Sequence, residues 1–241
     1  MGYTLRPIND KDITELVRVH SAAFQTDRFS NFMLNGKAEG THERLMEGSI
    51  KSWLSDPTSS MVAAVKNDGA IVGWACWLRR IKEEAEGVTQ PTQAKMTSTT
   101  LNREDQSSTK VDDSAPVTAD RLVAKSMPSQ HTIPDTPTRV IGRQMREDSM
   151  RWESSSMQEA QYLVLQALVT SPDYQHQGVG SQLVEWGVEL AAVERLSCWC
   201  HASPAGNELY LKSGFQEVGR NEYELGEFGK YIFRYMVYRA G

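Results

Sequence analysis

Cysteine is scarce in this chain: 3 in 241 residues, at Cys76, Cys198 and Cys200. An odd, low number does not build a disulfide framework. A reducing compartment is expected, and the cytoplasm in particular. Zinc-site spacing is missing as well. Cys198 and Cys200 stand two apart with no second ligand cluster, so no metal is expected and the thiols read as core residues. Long apolar runs are absent: nothing approaches the roughly 18 residues of a membrane span. The start, MGYTLRPINDKD, lacks the apolar stretch of a secretory signal, and Arg6 stands where a myristoylation motif needs Ser or Thr. Positive charge is short too. Lys and Arg number 26 against 31 Asp and Glu, for a net charge of −5. General nucleic-acid binding needs a basic face, so neither nucleic acid nor membrane is an expected partner.

Large apolar residues thin out between about 81 and 137. The stretch EEAEGVTQPTQAKMTSTTLNREDQSSTKVDDSAPVTAD is rich in Ser, Thr, Asp, Glu, Lys and Gln. It cannot bury enough surface to offset its ordering entropy. We read it as an insertion, either a tolerated surface loop or a lid or partner-binding segment.

What remains suffices for a core: 39% hydrophobic residues and six Trp. Tyr3 to Pro7 alternates like a short strand. Asn9 or Asp10 can cap a helix in which Ile13, Leu16, Val17, His20 and Phe24 recur at helical spacing. A second helix follows from Thr41 to about Asp56-Pro57. Asn67-Asp68-Gly69 between apolar runs signals a β-hairpin. A helix is expected from about Arg139 to Met157. QYLVLQALVT then reads as a strand buried on both faces. A turn at Ser171-Pro172-Asp173 leads to an amphipathic helix after Gly180. LSCWCHA is a further strand. Ser203 should cap a short helix with Pro204 at its first position, and Gly214 should end it in the left-handed cap. FQEVGRNEYEL and KYIFRYMVY close the chain as strands. The order predicts a mixed α/β (α+β) fold.

A glycine-rich turn between a strand and a helix leaves first-turn N–H groups unpaired, and the helix dipole favours an anion there. Glycine also removes the Cβ that would hold an anion off the backbone. Gln175 to Ser181 therefore suits a pyrophosphate, or is simply a tight turn. A P-loop is excluded, because no Gly-Lys-Ser/Thr closes the motif. A dinucleotide fold is disfavoured: Leu183 stands where the third glycine belongs, late in the chain.

Gln175-His176-Gln177-Gly178-Val179-Gly180 matches Q/R-x-x-G-x-G/A, and SPAGNELYLKSGFQEV matches an A/N-x-x-L-Y-x-K-x-G-F element. Together they resemble the GNAT superfamily of acyl-CoA N-acyltransferases, with a likeness to fungal-type members in Ser203-Pro204-Ala205-Gly206. The resemblance covers most of the chain except the insertion. It implies a single GNAT-like domain over 1–241 interrupted at about 81–137, with a central, mostly antiparallel mixed sheet, helices on both faces, and the acyl-CoA-binding half at 160–241. It implies acetyl-CoA, or another acyl-CoA, as co-substrate. The backbone of Leu168, Val169 and Thr170 would pair with the pantetheine amides. The amides of Gln175, His176, Gln177, Gly178, Val179, Gly180 and Ser181 would hold the pyrophosphate. Asn207 would touch the pantetheine arm, and Tyr210 would return a proton to the departing thiolate.

The amine must be neutral to attack, so a base is needed. Relatives place His or Glu where this chain has Gln166, which cannot take a proton near neutral pH. Gln166 either orients substrate or water, or is a buried amide satisfied by backbone. His201, ending SCWCH, is the next candidate base, against a structural role. His20 and His176 follow. Phe24, Phe29, Phe32, Met33, Trp74 and Trp77 either wall the acceptor side or belong to the core. Trp74 and Trp77 should face opposite sides of one strand. The expected activity moves an acetyl or other small acyl group to the amine of a small molecule, by a monomer or homodimer. The alternative is a GNAT fold that binds CoA or another ligand without transfer, or serves other chemistry.

Overall fold

The computed structural model describes residues 2–82 and 135–240. Most of the insertion expected at 81–137 lies outside the described residues. The elements are β1 (Tyr3–Pro7), α1 (Ile13–Phe24), α2 (Arg28–Leu34), α3 (Thr41–Ser55), β2 (Ser59–Lys66), β3 (Ile71–Ile81), α4 (Pro137–Ser156), β4 (Gln161–Thr170), α5 (Val179–Glu194), β5 (Cys198–Ala202), α6 (Asn207–Lys212), β6 (Gln216–Glu224) and β7 (Lys230–Tyr238). The short helix α2 was not expected. It starts at Asp27, whose carboxylate accepts the Ser30 N–H at 2.8 Å, an ordinary N-cap that the sequence offered without a long periodic run behind it.

Seven strands form one sheet in the order β1-β2-β3-β4-β5-β7-β6. All pairs are antiparallel except β4 with β5. Side-chain alternation divides the core into two layers. On one face, Leu16 and Val19 of α1, Ile50 of α3, Trp74, Val164, Trp199 and Tyr235 pack together, with Trp152 of α4 against them. On the other, Trp77, Leu165, Cys198, Cys200 and Ala202 meet Val179, Leu183 and Val184 of α5 and Tyr210 of α6. Trp74 and Trp77 do take opposite faces, and both are fully buried. Neither walls a cleft. Trp74 donates its indole N–H to the Leu16 carbonyl at 3.1 Å. Each such burial stabilises the fold by ~1.5–3 kcal/mol.

Two close approaches fix α5 on the sheet. A Cβ at Gly187 would sit 2.0 Å from the Trp77 ring, and one at Gly73 would sit 2.8 Å from the Val169 carbonyl oxygen and from Val179 Cγ1. Glycine at these two positions lets the helix lie against β3 and β4, which sets where its N-terminus points.

β4 departs from the expected strand in one respect. Its pairing with β3 runs Cys76↔Ala167 and then Trp77↔Leu165, so Gln166 is the extra residue of a β-bulge. Alternation confirms it: Val164 and then Ala167 face the α1 side, while Leu165 and then Leu168 face α5. Gln166 is exposed. The strand is thus not buried throughout, and the reading of Gln166 as a buried amide is overturned.

Candidate active site

The bulge coincides with an opening in the sheet. β4 and β5 pair in parallel only at Leu163↔Cys198 and Val164↔Trp199. Both strands continue beyond that, β4 to Thr170 and β5 to Ala202, without pairing to each other. Leu168, Val169 and Thr170 remain bonded to β3 on their other side, opposite Ala75, Trp74 and Gly73. Their β5-facing edge is open, which is the geometry a short extended ligand needs in order to pair as an added strand.

At one end of the opening stands the glycine turn. Gly178 is the N-cap of α5, with φ +86° and no side-chain cap. A residue with a Cβ would be strained there. His176 is also left-handed, with φ 58°. The side chains of Gln175 and Gln177 brace the turn from within, donating to the Thr170 carbonyl at 3.3 Å and the Asp173 carbonyl at 2.7 Å. Residues 175–178 are exposed, so their backbone is open to a ligand. Val179 itself is buried in the α5 core, and Ser181 is exposed. Gly180 has a second reason to be glycine: its Cβ would lie 3.2 Å from Leu209 Cδ2 and 3.5 Å from Thr170 Oγ1. The two glycines therefore serve a left-handed cap and a close helix approach, and both leave an uncapped helix N-terminus facing outward.

At the other end stands α6. It begins at Asn207, slightly later than the Ser203 cap suggested. Ser203 still nucleates it, accepting the Gly206 N–H on its hydroxyl at 3.2 Å and the Asn207 N–H on its carbonyl at 3.2 Å. It ends as expected, with Gly214 at φ +88° and the Phe215 N–H donated to the Tyr210 carbonyl at 3.0 Å. Asn207 Oδ1 is buried and has no hydrogen-bond partner among the described residues. A buried acceptor left unpaired is costly, and a ligand donor such as an amide N–H would satisfy it. Tyr210 is buried against Phe215, and burial with the neighbouring Cys200 raises its phenol well above the ordinary value. Its core packing and its candidate role thus coexist. Gly206, whose Cβ would lie 3.0 Å from the Tyr210 ring, gives that ring its place.

His201 projects from β5 on the face opposite Tyr210. It shares the side of Trp199 and is paired across β5–β7 with Tyr235. Its side chain is reached by solvent yet crowded, and desolvation lowers its pKa, so the neutral form is favoured. The ring lies 5.5 Å from that of Phe233, and Nδ1 lies 3.4 Å from Ser149 Oγ on α4. Ser149 was not anticipated from sequence; nothing in its local pattern marks it. α4 is fastened to the sheet around it. Asp148 accepts the Tyr223 hydroxyl at 2.9 Å, Trp152 donates to Asn221 at 2.8 Å, and Tyr162 donates to Glu153 at 2.9 Å.

Of the remaining candidates, His20 stands apart from this place, whereas Phe29 packs on Phe233, the ring beside His201. His20 is buried in α1, stacked on Phe24, and its Nδ1 lies 2.9 Å from His42 Nε2. Burial and His42 lower its pKa to about 3, which makes it a poor base. Phe29, Phe32 and Met33 join a third cluster with Tyr223, Leu225, Tyr231 and Phe233 of the C-terminal hairpin. Cys198 and Cys200 lie in the α5 layer, where burial pushes Cys198 up to about 12 and Cys200 well above its usual value. No helix among the described residues is long and apolar enough to cross a membrane.

Residues 144–217 match the family model described as an acetyltransferase (GNAT) domain. No curated protein matches by sequence. Among solved structures, arylalkylamine N-acetyltransferase 2 from Aedes aegypti is similar with a TM-score of 0.64 and 15% identity, over 99% of each chain. A GNAT-family acetyltransferase from Streptococcus pneumoniae gives 0.54 and 16%, again over 99% of each chain. The ribosomal-protein-S18-alanine N-acetyltransferase from Escherichia coli gives 0.51 and 12%, over 99% of this chain and 94% of that one. These likenesses carry the fold. They do not bear on the fungal-type affinity or on the acceptor.

Proposed function

We propose that this chain, which has the GNAT fold and a GNAT acetyltransferase domain at 144–217, transfers an acetyl or other small acyl group from acyl-CoA to the amine of a small molecule. One observation carries the reading: the sheet opens between β4 and β5, with an uncapped helix N-terminus at one end and the unpaired Asn207 acceptor at the other. Acyl-CoA would bring an activated acyl group and a diphosphate to that opening. The residues present fit it. The N–H groups of the Gln175–Ser181 turn favour the diphosphate. The free edge of Leu168, Val169 and Thr170 and the orphaned Asn207 Oδ1 suit the amides of the arm, which supports an acyl-CoA-binding half at 160–241.

The two faces of β5 then divide the proton handling. Tyr210, on the α5–α6 side, keeps its proton at neutral pH because its pKa is raised, so it can donate to a departing thiolate. The same burial raises the thiol's pKa as well, so a thiolate forming there takes up a proton. His201, on the α4 side, is held neutral and can accept a proton from the incoming ammonium, with Ser149 orienting Nδ1. Gln166, at the bulge, orients the substrate or a water rather than taking a proton. A strand N–H of β4 stabilises charge developing on the carbonyl oxygen. The buried free thiols fit a reducing compartment such as the cytoplasm.

The test is acetyl-CoA thiol release over an amine panel. Tyr210→Phe should lower kcat by roughly 100-fold while acetyl-CoA affinity is kept. His201→Gln should remove the acid limb of the pH–rate profile, which lies below pH ~6.5 because the imidazole pKa is lowered. Acetyl-CoA binding with no amine-dependent release would favour a binding protein on the same fold. No binding at all would end the proposal.

A further inference from the structure

We infer that the groove between α2 and α4 recognises acidic groups on the acceptor, so that the amine substrate is an anionic small molecule. The inference rests on the acyl-transfer reading above and specifies its substrate class. The two helices meet closely: a Cβ at Gly142 would lie 3.3 Å from Met33 Cε. Beside that contact runs a groove of about 470 Å³, floored by Met33 and Met145 and rimmed by Lys37, Arg139, Arg143 and Arg146.

The charge pattern is unusual for this chain. The protein is net negative at −5, yet four cations line one groove. Residues 139, 143 and 146 share one face of α4, at helical spacing. On α4, Glu147 stands one turn from Arg143 but about 80–100° around the helix from Arg139 and Arg146. Further along the same helix, Arg151 is paired with Asp148. Lys37, Arg139 and Arg146 form no ion pair among the described residues. Lys37, Arg139 and Arg146, gathered in one groove, repel one another, and an anionic ligand relieves that repulsion.

Position ties the groove to the site. One turn beyond Arg146 on α4 is Ser149, the residue that reaches His201 at 3.4 Å. Along the helix axis Arg146 lies ~5 Å and Arg139 ~15 Å from Ser149. An acceptor whose amine lies at His201 would place acidic groups trailing the amine along this row. A polycationic acceptor would be repelled.

The experiment uses the full chain with acetyl-CoA and ω-aminoalkyl phosphates of increasing length, each paired with the ω-aminoalkanol of equal length. The expected result is a kcat/KM for the better phosphates roughly tenfold above their alcohols at low salt, which two charge-assisted contacts supply. The preference should shrink in 0.5 M NaCl, where the screening length falls to a few ångström, about 4 Å. The double reversal Arg139→Glu/Arg146→Glu should abolish it, with acetyl-CoA affinity in the same samples reporting an intact fold. Equal use of phosphates and alcohols by the wild type, or a preference that survives the reversal, would overturn the inference. If acetyl-CoA binds but no amine reacts, the transfer reading has failed; calorimetry of the aminoalkyl phosphates then decides the groove by itself. Binding lost on reversal supports the groove, and binding that is absent or unaltered overturns it.

Discussion

His20 shows how much one buried side chain can say. Its ring is neutral because water is excluded and because His42 beside it disfavours a further positive charge. The sign of the resulting pH dependence follows directly. The folded-state pKa, about 3, lies below the unfolded value near 6.5, so between these limits the unfolded chain binds the extra proton. Stability is fully present above pH ~6.5 and falls by about 1.4 kcal/mol per pH unit below it. His20→Phe keeps a ring against Phe24 and Trp74 but removes the titration. In urea denaturation between pH 7.5 and 5, the wild type should lose about 2 kcal/mol more than the variant. Parallel losses would show that the pair does not carry this acid sensitivity. The pattern Ile13, Leu16, Val17, His20 marked the residue as inward-facing. The His42 contact joins residues 22 positions apart and could not be read from spacing.

At the scale of elements, the glycines separate local from tertiary reasons for one residue type. Gly48 lies in α3 with open space around its Cβ position, whereas Gly187 lies in α5 with the Trp77 ring 2.0 Å away. Helix propensity treats the two alike, since replacing glycine by alanine in a helix is favourable by ~0.5–1 kcal/mol. Packing does not. Gly48→Ala should raise stability by about that amount, and Gly187→Ala should lower it by about 1–3 kcal/mol or more through overpacking. Thermal unfolding of the two variants checks both signs, and a stabilised Gly187→Ala would mean that α5 can lift from β3 at little cost. The same division governs what was legible in the sequence. Strands, hairpin and helix ends came through because caps, turn pairs and periodicity are local: Asn67-Asp68-Gly69 turned the hairpin and Gly214 ended α6. The bulge at Gln166, the Asp148 and Trp152 contacts that fasten α4 and the reach of Ser149 to His201 depend on partners 52 to 91 residues away. A continuous apolar run such as QYLVLQALVT hides a bulge, because its effect is to change which face each later residue takes.

The whole molecule is a sheet joined across a short seam. β1 to β4 form one half and β5, β7 and β6 the other, and two paired positions of β4 and β5 link the ladders. Beyond the seam the strands part, and the cradle, Asn207, Tyr210 and His201 gather where they do so. Backbone groups on the free edge of β4 and in the Gln175–Ser181 turn lack the protection that a closed sheet would give them, so they should exchange faster than those of the paired ladders. A ligand spanning the opening supplies the missing partners and links both halves. Acetyl-CoA at about 100 times its Kd should therefore stabilise the protein by about 2.7 kcal/mol, raising Tm by roughly 5–10 °C in a chain of this size. Hydrogen exchange should slow at Leu168, Val169 and Thr170 and through Gln175 to Ser181, and change little in β1 and β2, which lie at the far edge of the sheet. Protection confined to the glycine turn would mean that only the phosphates are held and the seam is left open. Protection at both places, lost at β4 when acetyl-CoA is replaced by adenosine diphosphate, would show that the arm of the ligand closes the sheet and that the parted strands receive it.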